Sequence, residues 1–274
     1  MPHSKFVHLH NHTEYSLLDG ANRVTDEKGA PGDFIKAAVN YRMPALAITD
    51  HGNMYGALEF YRNCVKSGIK PIIGCEMYVA VGSRHEKKIA ERGGNIYHHL
   101  VLLAKNETGY KNLMKLSSLG FLEGFYYKPR VDKELLKEYK EGLIALSACL
   151  KGEIAEAMLD SGYEAAQKAL SGYLDIFGKE NFYIELMDNG IAEQRKLIPL
   201  LHELAVKNGV GVIATNDCHY TNREDSEAHD ALLCIGTGRI IEDTSRLKFQ
   251  TDQFYLRSPE EMFKIFGHIP EALS

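Results

Sequence analysis

The chain has 274 residues, 45% of them hydrophobic and 25% charged, which is enough apolar material for a globular protein with a sizeable core. Its net charge of -5 argues against a protein that grips nucleic acid over its whole surface, and five cysteines without a CxxC pair argue against a disulfide framework. No apolar run reaches the roughly 18 to 20 residues of a membrane helix, and no secretory signal precedes the first strand, so we expect a cytoplasmic protein.

Short apolar runs rich in Val and Ile alternate with helical patterns along the chain. The predicted strands are 5–10, 44–49, 70–75, 98–104, 142–147, 181–187 and 210–215. Apolar residues spaced about 3.6 positions apart predict helices over 33–42, 55–66, 107–119, 162–177 and 191–208. This alternation is typical of right-handed βαβ units with a mainly parallel sheet. Seven such units form either a distorted barrel or an open doubly wound sheet, and periodicity does not separate the two.

Two further regions lie outside this alternation. The polar stretch 82–97, which contains a Gly-Gly pair, predicts a mobile loop or a short helix over one face. The stretch 224–274 predicts a helix, a short strand in QFYLRS and a last helix in PEEMFKIFGHI. Because the sequence stops at Ser274 without a terminal cap, we interpret it as a fragment of a longer protein. We expect a single domain over 1–274, with a barrel over about 1–222 and a C-terminal extension over 223–274.

Side chains able to bind metal gather at the carboxyl ends of the predicted strands. This set comprises Asp50, His51, Glu76, Cys149, Asp217 and His219. In parallel α/β folds, that edge of the sheet is where ligands and catalytic groups meet. Alternate residues of a strand face the same side, so His8 and His10 are predicted to project together. The pattern therefore predicts a metal site of imidazole, carboxylate and thiolate groups.

Four short motifs resemble those of the PHP (polymerase and histidinol phosphatase) superfamily. They are HLHNH at 8–12, TDHGN at 49–53, SACLKGE at 147–153 and NDCHY at 216–220. Longer segments, including HTEYSLLDG and NLMKLSSLGFLEGFYYKPRVD, resemble the α subunits of bacterial DNA polymerase III of the DnaE type. The resemblance implies an α/β fold, a distorted (β/α)7 TIM-like barrel, and an N-terminal domain whose polymerase portion is absent from this sequence.

The same resemblance implies about three divalent metals and their ligands. The implied ligands are His8, His10, Asp19, His51, Glu76, His99, Cys149, Asp217 and His219. Two assignments stay open: His12 competes with Asp19, and His98 competes with His99. The mixed nitrogen, oxygen and sulfur donors favour Zn²⁺, with Mn²⁺ or Fe²⁺ as alternatives.

The implied reaction is phosphoester hydrolysis by a metal-bound water, in which Asp50 either orients a ligand or caps a helix. Lys128 and Arg130 beside Tyr126 and Tyr127, and more weakly Arg257, are candidate contacts to a DNA single strand.

Three functions follow from the resemblance. The first is a 3′–5′ exonuclease that acts on single-stranded DNA 3′ ends and proofreads for the polymerase portion of the same full-length chain. The second is a metal-stabilised scaffold that docks a separate proofreading subunit. The third is a pyrophosphatase or small-molecule phosphatase. None of the three involves a membrane.

Overall fold

Helices and strands alternate along the chain in a computed structural model that describes residues 2–87 and 95–273. The strands are β1 (Ala45–Ile48), β2 (Lys70–Ala80), β3 (Tyr97–Ala104), β4 (Arg130–Val131), β5 (Leu143–Leu146), β6 (Phe182–Leu186) and β7 (Gly211–Ala214). The helices are α1 (Asp33–Asn40), α2 (Ala57–Lys66), α3 (Glu107–Leu122), α4 (Lys133–Glu138), α5 (Glu153–Ser161), α6 (Tyr163–Phe177), α7 (Ala192–Asn208), α8 (Ser226–Thr237) and α9 (Pro259–Phe266).

One strand of the sheet runs against the others. The order is β1-β2-β3-β5-β6-β7, with β4 beside β2. β3 is antiparallel to both β2 and β5, whereas the other pairs are parallel. The prediction of a mainly parallel sheet is therefore right except at β3. Because β3 is reversed, its amino end lies at the edge where its neighbours have their carboxyl ends.

The sheet curls into a distorted barrel, and the segment 8–12 joins its two edges. On the β1 side, Ala47 donates its N–H to the His8 carbonyl at 3.1 Å. On the β7 side, His12 donates its N–H to the Cys218 carbonyl at 2.8 Å. The predicted first strand 5–10 is wrong as a strand: the segment has scattered backbone bonds, including Cys218 N–H to the His10 carbonyl at 3.1 Å, but no continuous ladder.

Of three apolar clusters in the described part of the chain, two lie on opposite faces of the sheet, and strand alternation assigns the strand side chains to one or the other. The larger cluster lies between the sheet and the helices. The smaller one fills the barrel and contains Ala47, Val101, Leu103, Leu146 and Ala148. His99 shares the barrel face of β3 with Val101 and Leu103, whereas His98 lies on the opposite face with Leu100. Side chains beyond the smaller cluster therefore line the mouth of the barrel.

Other predicted elements differ in detail. The pattern missed α4 and α5, which are short and begin at caps within loops. The stretch 253–258 forms no strand, although a single bridge between Tyr220 and Tyr255 and a few backbone bonds join it to residues 219–221. Of the predicted loop 82–97, residues 88–94 lie outside the described residues. No helix in the described ranges has the length and apolar character needed to cross a bilayer.

Candidate metal centre

Nine buried or half-buried side chains converge at the mouth of the barrel. They are His10, His12, Asp19, His51, Glu76, His99, Cys149, Asp217 and His219. Glu76 lies at their centre, with Oε1 3.3 Å from His10 Nε2 and Oε2 2.6 Å from His51 Nδ1. Together the nine supply imidazole nitrogens, carboxylate oxygens and one sulfur.

The donor atoms form three overlapping groups, and each group has its ligand atoms within 4.8 Å of one another. The groups are His12, His51 and His219; His10, His12 and Glu76; and His51, Glu76 and His99. Each group shares one residue with each of the others. Three further side chains border them: Asp19 Oδ2 lies 3.1 Å from His51 Nε2, Asp217 Oδ1 lies 3.0 Å from His12 Nε2, and Cys149 Sγ lies 4.0 Å from His99 Nδ1.

Three imidazoles are oriented by acceptors behind them. His10 donates from Nδ1 to Glu185 Oε1 at 3.0 Å, His12 from Nδ1 to Ser16 Oγ at 3.2 Å, and His219 from Nδ1 to the Asp217 carbonyl at 2.8 Å. A carboxylate and a carbonyl only accept hydrogen bonds, so these Nδ1 atoms carry the proton at His10 and His219. Nε2 is then the nitrogen that each ring presents to the cluster.

Several atoms in the cluster lack hydrogen-bond partners although they are buried. These atoms are His10 Nε2, His12 Nε2, His51 Nδ1, Glu76 Oε2 and Asp217 Oδ1. They approach one another closely, with His51 Nδ1 2.6 Å from Glu76 Oε2 and His12 Nε2 3.0 Å from Asp217 Oδ1. Buried polar atoms left without partners cost free energy unless an ion or water satisfies them. Lone pairs that converge in this way fit divalent metal ions.

The pKa values of the cluster residues also fit the binding of metal ions. Burial alone would raise the pKa values of Glu76 and Asp217, but the surrounding imidazoles lower both below their usual range. Burial alone would lower the pKa of His51, but Glu76 and Asp19 raise it to about 10. Burial and the neighbouring His51 and His219 lower the pKa of His12 to about 3. The buried carboxylates therefore need positive charge that not all of the imidazoles can supply as protons, and bound metal ions would provide it.

Strained backbone surrounds the centre. Asp217 has φ 48°, Ala148, which precedes Cys149, has φ 63°, and Leu18, which precedes Asp19, has φ 61°. A non-glycine residue in this left-handed region costs about 1–3 kcal/mol. Three of the ligand-bearing turns are therefore held in conformations that the chain would not adopt alone.

The structure places His8 outside the cluster, with its ring nitrogens turned to other partners, and His12 lies in the cluster instead. His8 Nε2 donates to the Arg257 carbonyl at 2.8 Å, and His8 Nδ1 lies 3.6 Å from Cys218 Sγ. Burial lowers the pKa of His8 to about 4, so it is a neutral structural histidine. The prediction assumed the alternation of a regular strand, but this segment is only loosely extended, so alternation does not fix its faces.

The two open assignments differ in where the structure places their residues. Asp19 and His12 both join the cluster, so they do not compete. His99 lies in the cluster, whereas His98 Nδ1 lies 2.8 Å from Glu156 Oε2 on the other face of β3. His99 does not break the strand-end pattern, because β3 is the reversed strand.

Asp50 anchors the loop that carries Asp19. Its carboxylate accepts from the Thr13 N–H at 2.6 Å, the Thr13 hydroxyl at 2.8 Å and the Ser16 hydroxyl at 2.6 Å. Ser16 Oγ also accepts the His51 N–H at 3.1 Å. Asp50 is not a helix cap, since α2 has Gly56 at that position. Through Ser16, Asp50 is linked to His12, whose Nδ1 lies 3.2 Å from Ser16 Oγ.

Two of the three predicted substrate contacts are buried instead. Arg130, 2% exposed, donates to the carbonyls of Gly124, Arg84 and Glu86. Arg257, 4% exposed, donates to the Asp188 carbonyl and to Gln253 Oε1. Both hold loops together and cannot reach a substrate.

Lys128 remains exposed beside the centre. Its Nζ lies 5.4 Å from the Tyr78 ring centroid, and Tyr78 contacts the rings of His51 and His99.

Sequence reasoning missed Glu185 and Ser16. Glu185 is a buried acid within the apolar strand β6, and this pattern was a usable signal. Besides His10, its Oε1 accepts the Thr215 hydroxyl at 2.8 Å. Ser16 had no comparable signal, because only the folded loop brings it between Asp50 and His12.

Known proteins share both the sequence and the fold of this chain. The PHP domain family matches residues 8–189. DNA polymerase III subunit alpha of Treponema pallidum is 49% identical over 273 residues, which are 100% of this chain and 23% of that protein. The corresponding subunit of Borreliella burgdorferi is 47% identical over 98% of this chain and 23% of its own length. The chain thus spans less than a quarter of these curated relatives.

Among solved structures, an amidohydrolase from Chromobacterium violaceum aligns with a TM-score of 0.51 and 16% identity, over 78% of this chain and 87% of that one. At this identity the likeness shows the fold alone.

Proposed function

Because the chain belongs to the PHP domain family, we propose that it binds divalent metals in the nine-residue cluster and hydrolyses phosphoester bonds there. The observation that carries this proposal is the set of buried nitrogen and oxygen atoms that converge without hydrogen-bond partners. A cluster that served only packing would have its polar atoms paired with one another.

The three overlapping groups support about three metals, with Glu76 placed between two of them. Each donor group would form one metal site, called a corner of the centre. One corner would use His12, His51, His219 and Asp19. A second would use His10, His12, Glu76 and Asp217. The third would use His51, Glu76, His99 and Cys149. Imidazoles with one thiol favour Zn²⁺, and the carboxylates also accept Mn²⁺ or Fe²⁺.

The protein's own residues set where the substrate enters. The side chains of His10 and His12 are 0% exposed and form the floor, whereas Asp19, 33% exposed, faces solvent at the rim. When bound, divalent metals lower the pKa of a water and offset negative charge on the phosphoryl group. Burial raises the pKa of Cys149 well above its ordinary value, so the thiol is not a nucleophile in the metal-free chain. Lys128 places a positive charge beside the open side.

Homology over the whole chain directs the substrate proposal. Since the relatives are DNA polymerase III α subunits, we propose that the chain is their N-terminal PHP domain and trims 3′ ends of single-stranded DNA, working beside the polymerase portion of the same chain. The test is a single strand labelled at its 3′ end, incubated with the purified chain loaded with Zn²⁺ or Mn²⁺. We expect release of labelled mononucleotides that stops with chelator and in Asp217→Asn. Intact DNA at full metal occupancy contradicts the exonuclease.

A substitution at Lys128 tests whether the substrate approaches the centre from that side. Neutralising it in Lys128→Gln should raise the KM for DNA several-fold and leave kcat nearly unchanged, because it contacts the substrate but not the reacting atoms. Lys115→Gln, an exposed lysine on α3, is the matched control and should leave both constants unchanged. Equal kinetics for both variants would remove Lys128 from the substrate path.

A second candidate function is a metal-stabilised scaffold that supports the polymerase and docks a separate proofreading subunit. The depth of the centre favours it, since most of the donor atoms lie in core-like surroundings. It predicts metal binding without turnover. Assays with pyrophosphate and a generic phosphomonoester, run beside DNA, separate both functions from a pyrophosphatase or small-molecule phosphatase.

A further inference from the structure

Helix α8, in the C-terminal extension, lies directly on the loop that carries Asp19. Two residues on one side of the helix make the contact: His229 and Gly236 are seven positions apart, which is close to two helical turns. Neither residue supplies a donor atom to the metal cluster. Their contacts go to the backbone of residues 18 and 19.

The first contact is a hydrogen bond to the ligand residue itself. His229 Nε2 lies 2.6 Å from the Asp19 carbonyl oxygen. A carbonyl only accepts, so Nε2 carries the proton and donates it. His229 is 1% exposed, and its ring packs against His219, with centroids 5.5 Å apart. This histidine thus fixes the backbone of one ligand while it packs against another.

The second contact depends on the absence of a side chain. A Cβ built on Gly236 would lie 3.0 Å from both Leu18 Cβ and the Leu18 carbonyl oxygen. Leu18 is the residue with φ 61° that turns the chain into Asp19. Gly236 therefore lets the helix approach closely enough to hold this strained turn.

The segment after α8 is tied back over the same surface. Arg246 donates to both carboxylate oxygens of Asp230, at 2.5 and 2.6 Å. Phe249 then packs on His219 and His229, with ring centroids 4.9 and 4.8 Å away. The extension is thus folded onto the centre over two successive segments.

We propose that α8 is a positioning element of the metal centre, holding Asp19 in its ligand position through His229 and the close approach at Gly236. This inference rests on the proposed function, because it assigns the residues behind one ligand of that centre. It also makes the C-terminal extension, and not the barrel alone, responsible for the metal affinity of the corner formed by Asp19, His51 and His219.

The experiment compares Zn²⁺ affinity, by chelator competition, with the melting temperature of the metal-free chain. His229→Ala removes the donor and should weaken the most affected site by roughly 10- to 100-fold, the usual effect of losing an outer partner of a ligand. His229→Gln keeps an N–H donor and should recover most of that affinity. Gly236→Ala should weaken binding, because its Cβ would displace the Leu18 turn, and by more than the change in metal-free melting temperature explains. Gly172→Ala in α6 is the matched control and should leave affinity unchanged.

These measurements distinguish failure of the proposed function from failure of the positioning role of α8. If the parent chain binds no Zn²⁺, Mn²⁺ or Co²⁺, the proposed function fails and this inference fails with it. If the parent binds metal but His229→Ala and Gly236→Ala bind it equally well, only the positioning role of α8 is overturned. Affinity losses that merely follow a fall in the metal-free melting temperature, without rescue by glutamine, also overturn it. Co²⁺ absorption provides a further readout, since a displaced Asp19 should change the d–d bands in both variants.

Discussion

Adjacent histidines on β3 differ only in the face they occupy. We expect His99→Gln to reduce bound metal, because His99 lies 3.0 Å from Glu76 within the cluster. His98→Gln should not, because His98 pairs with Glu156 on the opposite face. Elemental analysis of both variants after identical loading checks this. Equal metal loss in the two would mean that the affected property is strand stability.

The charge on His51 makes metal binding depend on pH. In the metal-free chain its pKa is about 10, so it carries a proton at neutral pH that a metal must displace. Zn²⁺ added to weakly buffered protein at about pH 8 should therefore release protons, and His51→Gln should release about one fewer. Affinity should rise with pH over this range. No acidification on metal addition would contradict a protonated His51 in the metal-free chain.

The raised pKa of His51 also predicts how the stability of the metal-free chain changes with pH. A histidine whose folded pKa exceeds its unfolded value of 6.5 stabilises the fold fully below that value, and the contribution disappears as pH rises toward the folded pKa of about 10. The unfolding free energy of the metal-free chain, from urea titrations, should therefore fall between about pH 7 and pH 10. His51→Gln should flatten that decline.

At the scale of elements, two helical glycines should respond to alanine in opposite ways. A Cβ on Gly109 in α3 would lie 1.9 Å from the Gly142 carbonyl, a backbone atom that cannot move aside. We expect Gly109→Ala to cost about 1–3 kcal/mol or more. In α6, a Cβ on Gly172 meets only Lys133 Nζ at 3.7 Å, so Gly172→Ala should gain about 1 kcal/mol. Denaturant midpoints of the two variants should therefore move in opposite directions.

Across the whole molecule, the metals should contribute to stability because their ligands come from distant parts of the chain. At about 100 times its Kd, a ligand that binds only the folded state adds about 2.7 kcal/mol per site. For a chain of this size, each kcal/mol corresponds to about 2–4 °C. Stripping the metals should lower the melting temperature accordingly, and reloading should restore it. A melting temperature indifferent to metal would count against both candidate functions.

Hydrophobic periodicity was sufficient to predict most helices and the strands from β1 onward except the two-residue β4, since burial on one face imposes a regular spacing on each element. The strand-end rule likewise identified His51, Glu76, Cys149, Asp217 and His219, because parallel strands bring their carboxyl ends to one edge of a sheet. The family resemblance added Asp19 and His99. These features depend on local spacing and on the order of elements along the chain.

The remaining features of the site depend on the tertiary structure. The reversed direction of β3 explains why His99 belongs to the site although it begins its strand. Whether His8 or His12 joins His10 depends on an irregular segment between the two edges of the sheet, and no periodic pattern reports its faces. Glu185 contacts His10 and His229 contacts Asp19 across large separations in sequence, and Ser16 connects His12 to the distant Asp50. Long-range packing determines such contacts, whereas sequence spacing records only what neighbouring residues share.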